Sequence, residues 1–172
     1  MQPVAARQRA LFDGSALAAA PSGVSAQTAG NMDLRRTGMN YLEDYYNTHD
    51  EDSRLLSQHG QIEYLTTMKY IHEYLSGVSG ARVLEVGAGT GRYSVALAKD
   101  GYNVTAVELV AHNLDILRSK LDGTEPITVL QGNALDLSAL PDGKFDLTML
   151  LGPMYHLYTR EESCRLFRKP CA

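Results

Sequence analysis

The residues between Glu85 and Gly91 set the chemistry this chain can do. Val83-Leu84-Glu85-Val86 is an apolar run broken by one carboxylate, and it passes directly into Gly87-Ala88-Gly89-Thr90-Gly91. An apolar strand that runs into a glycine turn and then a helix lets backbone approach a nucleotide-like ligand at the strand's carboxyl end. The spacing narrows the ligand. A dinucleotide fingerprint needs glycine at position 92, where Arg92 stands, and a P-loop needs a Gly-Lys-Ser/Thr ending that is absent. Glu108 follows at about the twenty-residue distance where an acid accepts hydrogen bonds from both hydroxyls of a ribose. A carboxylate there disfavours a phosphorylated ribose, so an NADP-like ligand is not expected.

Further polar or special residues fall where strands should end. Glu108-Leu109, Gly132-Asn133-Ala134 and Leu151-Gly152-Pro153-Met154-Tyr155-His156 follow three apolar stretches. Asn133 reads either as a turn residue or as a hydrogen-bond partner for a base. Tyr155 and His156 read either as packing residues or as groups that orient or deprotonate a substrate, since histidine titrates near neutrality. The sequence offers no Ser-His-Asp or Cys-His constellation.

The elements that must hold these residues follow from periodicity. From Asp33 to Leu75 the pattern is helical. Met39, Leu42, Tyr45 and Tyr46 recur at helix spacing, Asp50 to Ser53 supply acids and a cap before Arg54-Leu55-Leu56, and Gly60 interrupts. Ile62, Leu65, Met68, Ile71 and Leu75 then form a stripe suited to a sheet surface, closed by Gly77 and Gly80. His59 reads as a helix-boundary or core histidine. Beyond Gly80 the period changes. Strands are expected over 81–86, 103–108, 127–130 and 145–151, with helices over 92–99 and 112–121 between them. Strands alternating with helices predict an α/β fold, a doubly wound, mostly parallel sheet with right-handed crossovers. Ligands then sit outside the carboxyl ends of the strands, where the polar residues fall.

With Glu85 included, the turn resembles the first motif of the class I S-adenosylmethionine-dependent methyltransferases, and the resemblance extends over Tyr41 to Tyr158. It implies a Rossmann-like methyltransferase core, here with its first four strands, and S-adenosylmethionine as the cofactor. Glu85, Gly87, Ala88, Gly89 and Gly91 match the first motif. Glu108, with Leu109, matches the ribose-binding acid after strand two. Asn133-Ala134 matches the pair placed beside the adenine, and Leu151 opens the loop after strand four. The glycine turn then faces the methionine part and the adenosine, and no lysine is needed because the ligand carries no phosphate. The helical segment before strand one also resembles this family, with Tyr45-Tyr46 and Glu51-Asp52-Ser53-Arg54-Leu55 closing over the cofactor. Tyr45 and Arg54 are its candidate contacts, the latter through the planar fork that binds carboxylates; packing tyrosines and a solvated arginine are the alternative reading. Gly152-Pro153-Met154-Tyr155-His156 departs from the Asn/Asp-Pro-Pro-Tyr/Phe motif of amino-group methylation and looks more like the loop of small-molecule methyltransferases. The implied activity is methyl transfer to a small-molecule acceptor, with Tyr155 and His156 as catalytic candidates. Positioning does most of the work in such a displacement, so no metal is required. A non-catalytic cofactor-binding fragment is the alternative. An NAD-binding oxidoreductase is a third, disfavoured by Arg92 and the glycine spacing.

The bulk properties agree with one such domain. The 172 residues carry 44% hydrophobic and 21% charged side chains and a formal net charge of -4, ordinary for a globular chain. No basic stripe marks a nucleic-acid partner, and no apolar run is long enough to span a bilayer. Cys164 and Cys171 form no disulfide or metal pattern, which fits a reducing, cytoplasmic setting. Residues 1–31, rich in Ala, Ser and Gly, read as a disordered leader or a misassigned start, with Met32 or Met39 as the alternative beginning. Residues 32–80 read as a helical cap segment and 81–172 as the partial core. Thr159-Arg160-Glu161-Glu162 is a capping box that opens a last helix. The reading frame is expected to be truncated before strands five to seven. Strand four would then be an edge, which favours self-association.

Overall fold

The computed structural model describes residues 45, 46, 53 and 56–168. Helix α1 (Gln58–Leu75) precedes a sheet of β1 (Arg82–Val86), β2 (Asn103–Glu108), β3 (Ile127–Gln131) and β4 (Leu147–Met149). Helix α2 (Arg92–Lys99) joins β1 to β2, and α3 (Ala111–Ser119) joins β2 to β3. A one-turn 3-10 helix (Pro153–His156) and helix α4 (Arg160–Arg168) follow β4. The strand order is β3-β2-β1-β4, and every pairing is parallel. The chain builds outward from β1 to β3 and then returns to the other side of β1. The order therefore reverses between β1 and β4, and that crevice is where this architecture takes a ligand.

Side chains alternate across β1 as the pleat requires. Val83 packs on one face with Met68, Ile71 and Leu75 of α1 and Leu97 and Ala98 of α2. Leu84 and Val86 pack on the other with Val107, Leu137 and Leu166 of α4. A third cluster joins Ala88, Val95, Ala106 and Leu117, seating α2 and α3 beside the glycine turn. Helices thus cover both faces, so Val83, Leu84 and Val86 are all buried apolar residues and Glu85 is the strand's one buried acid.

The expected elements are present, with four corrections. Gly60 does not interrupt a helix. Ser57 caps α1, its side chain accepting from the Gly60 backbone N–H at 3.1 Å, so Gly60 is buried within the first turn. The apolar stripe of α1 is only half buried in fact: Met68, Ile71 and Leu75 are covered, while Ile62 and Leu65 are 61% and 64% exposed. Length explains this. An 18-residue helix is about 27 Å long, whereas a five-residue strand is about 17 Å, so the first turns of α1 overhang β1. The strand expected over 145–151 contracts to Leu147–Met149, because β4 pairs with β1 at three register positions and has no strand on its other side among the described residues. Finally, the expected strand start at 81 and the helix over 112–121 shift by one or two residues, to Arg82 and to Ala111–Ser119, within the usual fraying of such boundaries.

Two polar devices fix the ends of this frame. Asp146 anchors the short β4 to β1: its Oδ2 accepts from the Arg82 backbone N–H at 2.8 Å, its Oδ1 accepts from the Arg82 guanidinium at 3.1 Å, and its own N–H donates to the Arg82 carbonyl at 2.8 Å. The capping box of α4 forms as its sequence requires. The Glu162 N–H donates to Thr159 Oγ1 at 3.1 Å, and the Thr159 N–H donates to Glu162 Oε2 at 3.1 Å. Among the described residues, no helix is long and apolar enough to cross a membrane.

Candidate functional site

The site is built on the turn after β1. Gly87, Gly89 and Gly91 all have φ in the left-handed region, at 75°, 55° and 80°, which side chains avoid. Their surroundings separate three roles. A Cβ on Gly87 would lie 2.6 Å from Pro153 Cγ, so this glycine admits the loop after β4. A Cβ on Gly91 would run into Leu117, 2.8 Å from its Cδ1, so this glycine admits α3. A Cβ on Gly89 would meet nothing within 4 Å. Two glycines are therefore demanded by the protein's own packing, and the third turns toward open space. Backbone bonds lock the turn to the next strand: the Gly87 and Ala88 N–H groups both donate to the Val107 carbonyl, at 2.8 and 3.0 Å. Lys120 reaches back from beyond α3 to donate to the Thr90 carbonyl at 2.9 Å.

Glu108 ends β2 and is 7% exposed. Its Oε2 accepts from the Gly89 N–H at 2.8 Å, and its Oε1 accepts from the Val110 N–H at 2.9 Å. A carboxylate offers about four lone-pair positions. Two are engaged in holding the loops, which leaves acceptor capacity beside the open face of Gly89. Leu109 is half-buried, and its carbonyl accepts from the Gln131 side chain at 3.1 Å, tying the ends of β2 and β3 together.

Glu85 points to the α2 face and is 2% exposed. It accepts a hydrogen bond from the Ser94 hydroxyl on the first turn of α2. Burial pushes its carboxyl up to about 7; bonds from the Ser94 hydroxyl and backbone pull it down, and the Glu108 charge adds a smaller upward push. Ser94 was not singled out by sequence. The signal was available: a serine three positions past Gly91 lies on the helix face that looks back at β1, where a buried acid needs a donor.

Beyond β3, Asn133 closes a turn. Its Oδ1 accepts from the Leu135 N–H at 2.9 Å, and its carbonyl accepts from the Asp136 N–H at 2.8 Å. Ala134 is half-buried against the cluster that contains Leu137 and Leu166. After β4, Leu151 is 44% exposed, Tyr155 is 84% exposed, and His156 is half-buried. The Tyr46 hydroxyl and His156 Nε2 are 2.8 Å apart, with their rings edge to face. Tyr45 stacks edge to face on Tyr46 with ring centroids 5.2 Å apart. Arg54 lies outside the described residues. The fold thus gathers Glu85, Gly87, Ala88, Gly89, Gly91, Glu108 and Leu109 at the mouths of β1 and β2, with Asn133-Ala134 beyond β3 and His156 beyond β4. It leaves the Tyr155 ring in solvent.

A parallel sheet of this order, with a glycine turn on β1 and an acid ending β2, defines an open α/β sheet built for a nucleoside-like ligand. Comparison with known proteins specifies it further. Residues 83–170, just over half of the chain, match the methyltransferase domain family model, and the chain belongs to that family, among the class I S-adenosylmethionine-dependent methyltransferases. It is 28% identical over 111 residues to the ubiquinone biosynthesis O-methyltransferase of Actinobacillus pleuropneumoniae, covering 60% of this chain and 47% of that protein. It is 36% identical over 69 residues to the demethylmenaquinone methyltransferase of Clavibacter sepedonicus, covering 40% of this chain and 28% of that one. The chain thus spans less than half the length of these curated relatives. Its fold is similar to that of the magnesium protoporphyrin IX methyltransferase of Synechocystis, solved with S-adenosylmethionine bound. The TM-score is 0.60 at 20% identity, covering 81% of this chain and 71% of that one.

Proposed function

We propose that this chain binds S-adenosylmethionine across the carboxyl ends of β1 to β3 and takes part in methyl transfer to a small-molecule acceptor. The observation that carries the reading is the division of labour among the glycines. Gly87 and Gly91 accommodate Pro153 and Leu117, whereas Gly89 alone faces open space, with the Glu108 carboxylate bonded to its N–H at 2.8 Å. That arrangement fits a ribose: the remaining lone pairs of Glu108 accept its two hydroxyls, and the bare backbone at Gly89 admits its close approach.

The residues would divide the ligand as follows. Glu108 takes the ribose, and Leu109 with Asn133-Ala134 borders the base. The turn from Gly87 to Gly91 takes the amino-acid portion, where Glu85 supplies a carboxyl close to ionisation. Leu151 and Tyr45 complete the walls, and Arg54 is the candidate for the ligand's carboxylate. When bound, the cofactor supplies a methyl group on a positively charged sulfur. The protein's task is to align the acceptor and exclude water, for which no covalent intermediate is needed. His156 is the better placed of the two candidate bases, because it is half-buried beside the switch point while Tyr155 is 84% exposed.

A small-molecule acceptor is supported by the net charge of -4, which offers no electrostatic footprint for a nucleic acid, and by the kinship with quinone-pathway methyltransferases. Calorimetric titration with S-adenosylmethionine and with NAD tests the cofactor. Saturable heat with the first and none with the second is expected, and the reverse would sink the reading. Transfer of labelled methyl from S-adenosylmethionine to a mixture of phenolic and quinol metabolites tests the activity. Label confined to added protein or RNA would contradict a small-molecule acceptor.

A further inference from the structure

We propose that Asn113 is a cofactor-binding residue: its side-chain amide donates to a ribose hydroxyl whose own proton goes to Glu108, so that the two residues together select an intact ribose. This rests on the cofactor reading above.

Asn113 lies in the first turn of α3 and is only 2% exposed. Asparagine is found mostly at protein surfaces, and inside a helix it is a weaker helix former than leucine. Leu114 and Leu117, its buried neighbours on α3, show what packing alone would place there. Buried side-chain amides are hydrogen-bonded as a rule. Among the described residues, none bonds to the Asn113 amide. The local task open to it is already taken. At the third position of a helix, a polar side chain can reach back to the backbone N–H of the capping residue. Here the capping residue is Val110, and its N–H donates to Glu108 Oε1 at 2.9 Å.

Helical spacing gives the direction in which Asn113 points. Asn113, Leu117 and Lys120 are four and three residues apart and so share one face of the helix end. The other two members of that face both touch the glycine turn. Leu117 fills the space of a Gly91 Cβ, with its Cδ1 2.8 Å from that position, and Lys120 Nζ donates to the Thr90 carbonyl at 2.9 Å. Asn113 stands one turn, about 6 Å, nearer the start of α3. That is the end which Glu108 holds through Val110. Side chains on a helix lean toward its N-terminus, which here means toward Glu108 and Gly89. The face therefore serves the turn residue by residue: Leu117 meets Gly91, Lys120 meets Thr90, and Asn113 looks toward Gly89. Gly89 is the member with open space beside it, and its N–H is bonded to Glu108 Oε2 at 2.8 Å.

The chemistry of the two side chains is complementary. A carboxylate only accepts hydrogen bonds, whereas a ribose hydroxyl both donates and accepts. Glu108 takes the hydroxyl proton and leaves the hydroxyl oxygen in need of a donor. The Asn113 amide supplies one. An analogue without that hydroxyl leaves two buried polar groups short of a partner, which is how a site rejects a ligand that lacks one hydroxyl.

The test uses the full chain and titrates S-adenosylmethionine and its 2′-deoxy and 3′-deoxy analogues by calorimetry. Wild type is compared with Asn113→Leu and Asn113→Ala, and His112→Ala, exposed on the same turn, is the control. Asn113→Leu should bind S-adenosylmethionine about tenfold more weakly, the effect of one lost hydrogen bond. Its urea midpoint should stay level or rise, because the amide it replaces has no protein partner. For one of the two deoxy analogues, the penalty for the missing hydroxyl should be about tenfold smaller in Asn113→Leu than in wild type, since the variant has already lost that bond. A residue that only packs would shift the midpoint and leave the affinity of the folded protein alone. Wild-type affinity in both Asn113 variants overturns the proposal, as do deoxy penalties identical in wild type and variant. Failure of the wild type to bind S-adenosylmethionine would instead remove the cofactor reading and this proposal with it, so the two failures are told apart. Should Asn113→Leu not fold, the smaller Asn113→Ala carries the same two comparisons.

Discussion

The Glu108 carboxylate and the Gly89 amide are joined by a 2.8 Å hydrogen bond that ties the end of β2 to the open face of the glycine turn. Because the second oxygen accepts from the Val110 N–H at 2.9 Å, one side chain sets the positions of two loops before any ligand arrives. Glu108→Gln keeps the shape but presents an amide NH2 to one of two N–H donors. It should weaken S-adenosylmethionine binding at least about tenfold, the cost of one mismatched polar contact in a partly buried site. Glu108→Ala leaves both amides without an acceptor and should also lower stability, by about 2 kcal/mol. Calorimetry and urea denaturation check the two effects separately. Full affinity in the Gln variant would mean that the carboxylate serves the loops alone.

The three glycines should respond differently to the same substitution. Gly91→Ala combines left-handed backbone with a collision against Leu117, and should cost about 2–5 kcal/mol from strain and overpacking together. Gly89→Ala bears only the backbone strain, about 1–2 kcal/mol, because nothing lies within 4 Å of its Cβ position. Gly89→Arg should therefore remain folded and lose cofactor binding by filling the space at the turn. Gly87→Ala displaces Pro153 and should disturb the loop that carries His156. Denaturation midpoints rank the variants, and equal destabilisation at positions 89 and 91 would contradict these assignments.

This contrast marks what the sequence could reveal. The glycine spacing and Glu85 announced the turn, and the short apolar runs ahead of Gly87 and Glu108 announced β1 and β2, because those signals are local and strong. The division among the glycines was invisible, since it depends on Pro153 and Leu117, which arrive from distant parts of the chain. Gly60 misled for a related reason: a helix start is set by a capping side chain, here Ser57, and a glycine in the first turn is tolerated there. The burial of α1 could not be read from its stripe, because Ile62 and Leu65 repeat as regularly as Met68 and Ile71. What separates them is where the sheet ends. His156 and Tyr155 were equivalent on paper; a 3-10 turn places one against Tyr46 and the other in solvent.

The Thr159–Glu162 box gives a smaller but cleaner expectation. The Thr159 hydroxyl satisfies the Glu162 N–H at 3.1 Å, and α4 buries Leu166 completely. Thr159→Ala should destabilise by about 1 kcal/mol, and Thr159→Ser should restore most of it. The loss is measured by urea denaturation. If the alanine variant matches wild type, α4 is held by Leu166 alone.

Glu85 predicts how stability changes with pH. Its carboxyl is raised from 4.5 to about 7 in the folded protein, chiefly by burial, so folding favours the protonated form. Below about pH 4.5 both folded and unfolded states hold the proton, and Glu85 exacts no ionisation penalty. Between about 4.5 and 7 the unfolded chain releases the proton while the folded chain keeps it. Stability therefore falls as pH rises through that window and levels off above it. The full shift corresponds to a loss on the order of 3 kcal/mol. Glu85→Gln stays neutral throughout, and its carbonyl can still accept from the Ser94 hydroxyl. The difference in unfolding free energy between wild type and Glu85→Gln cancels the other titrating groups. It should move in favour of the variant from pH 5 to pH 7.5 and then remain constant. A difference that does not change with pH would show that Glu85 is already ionised at pH 5 and that its contact with Ser94 outweighs its burial.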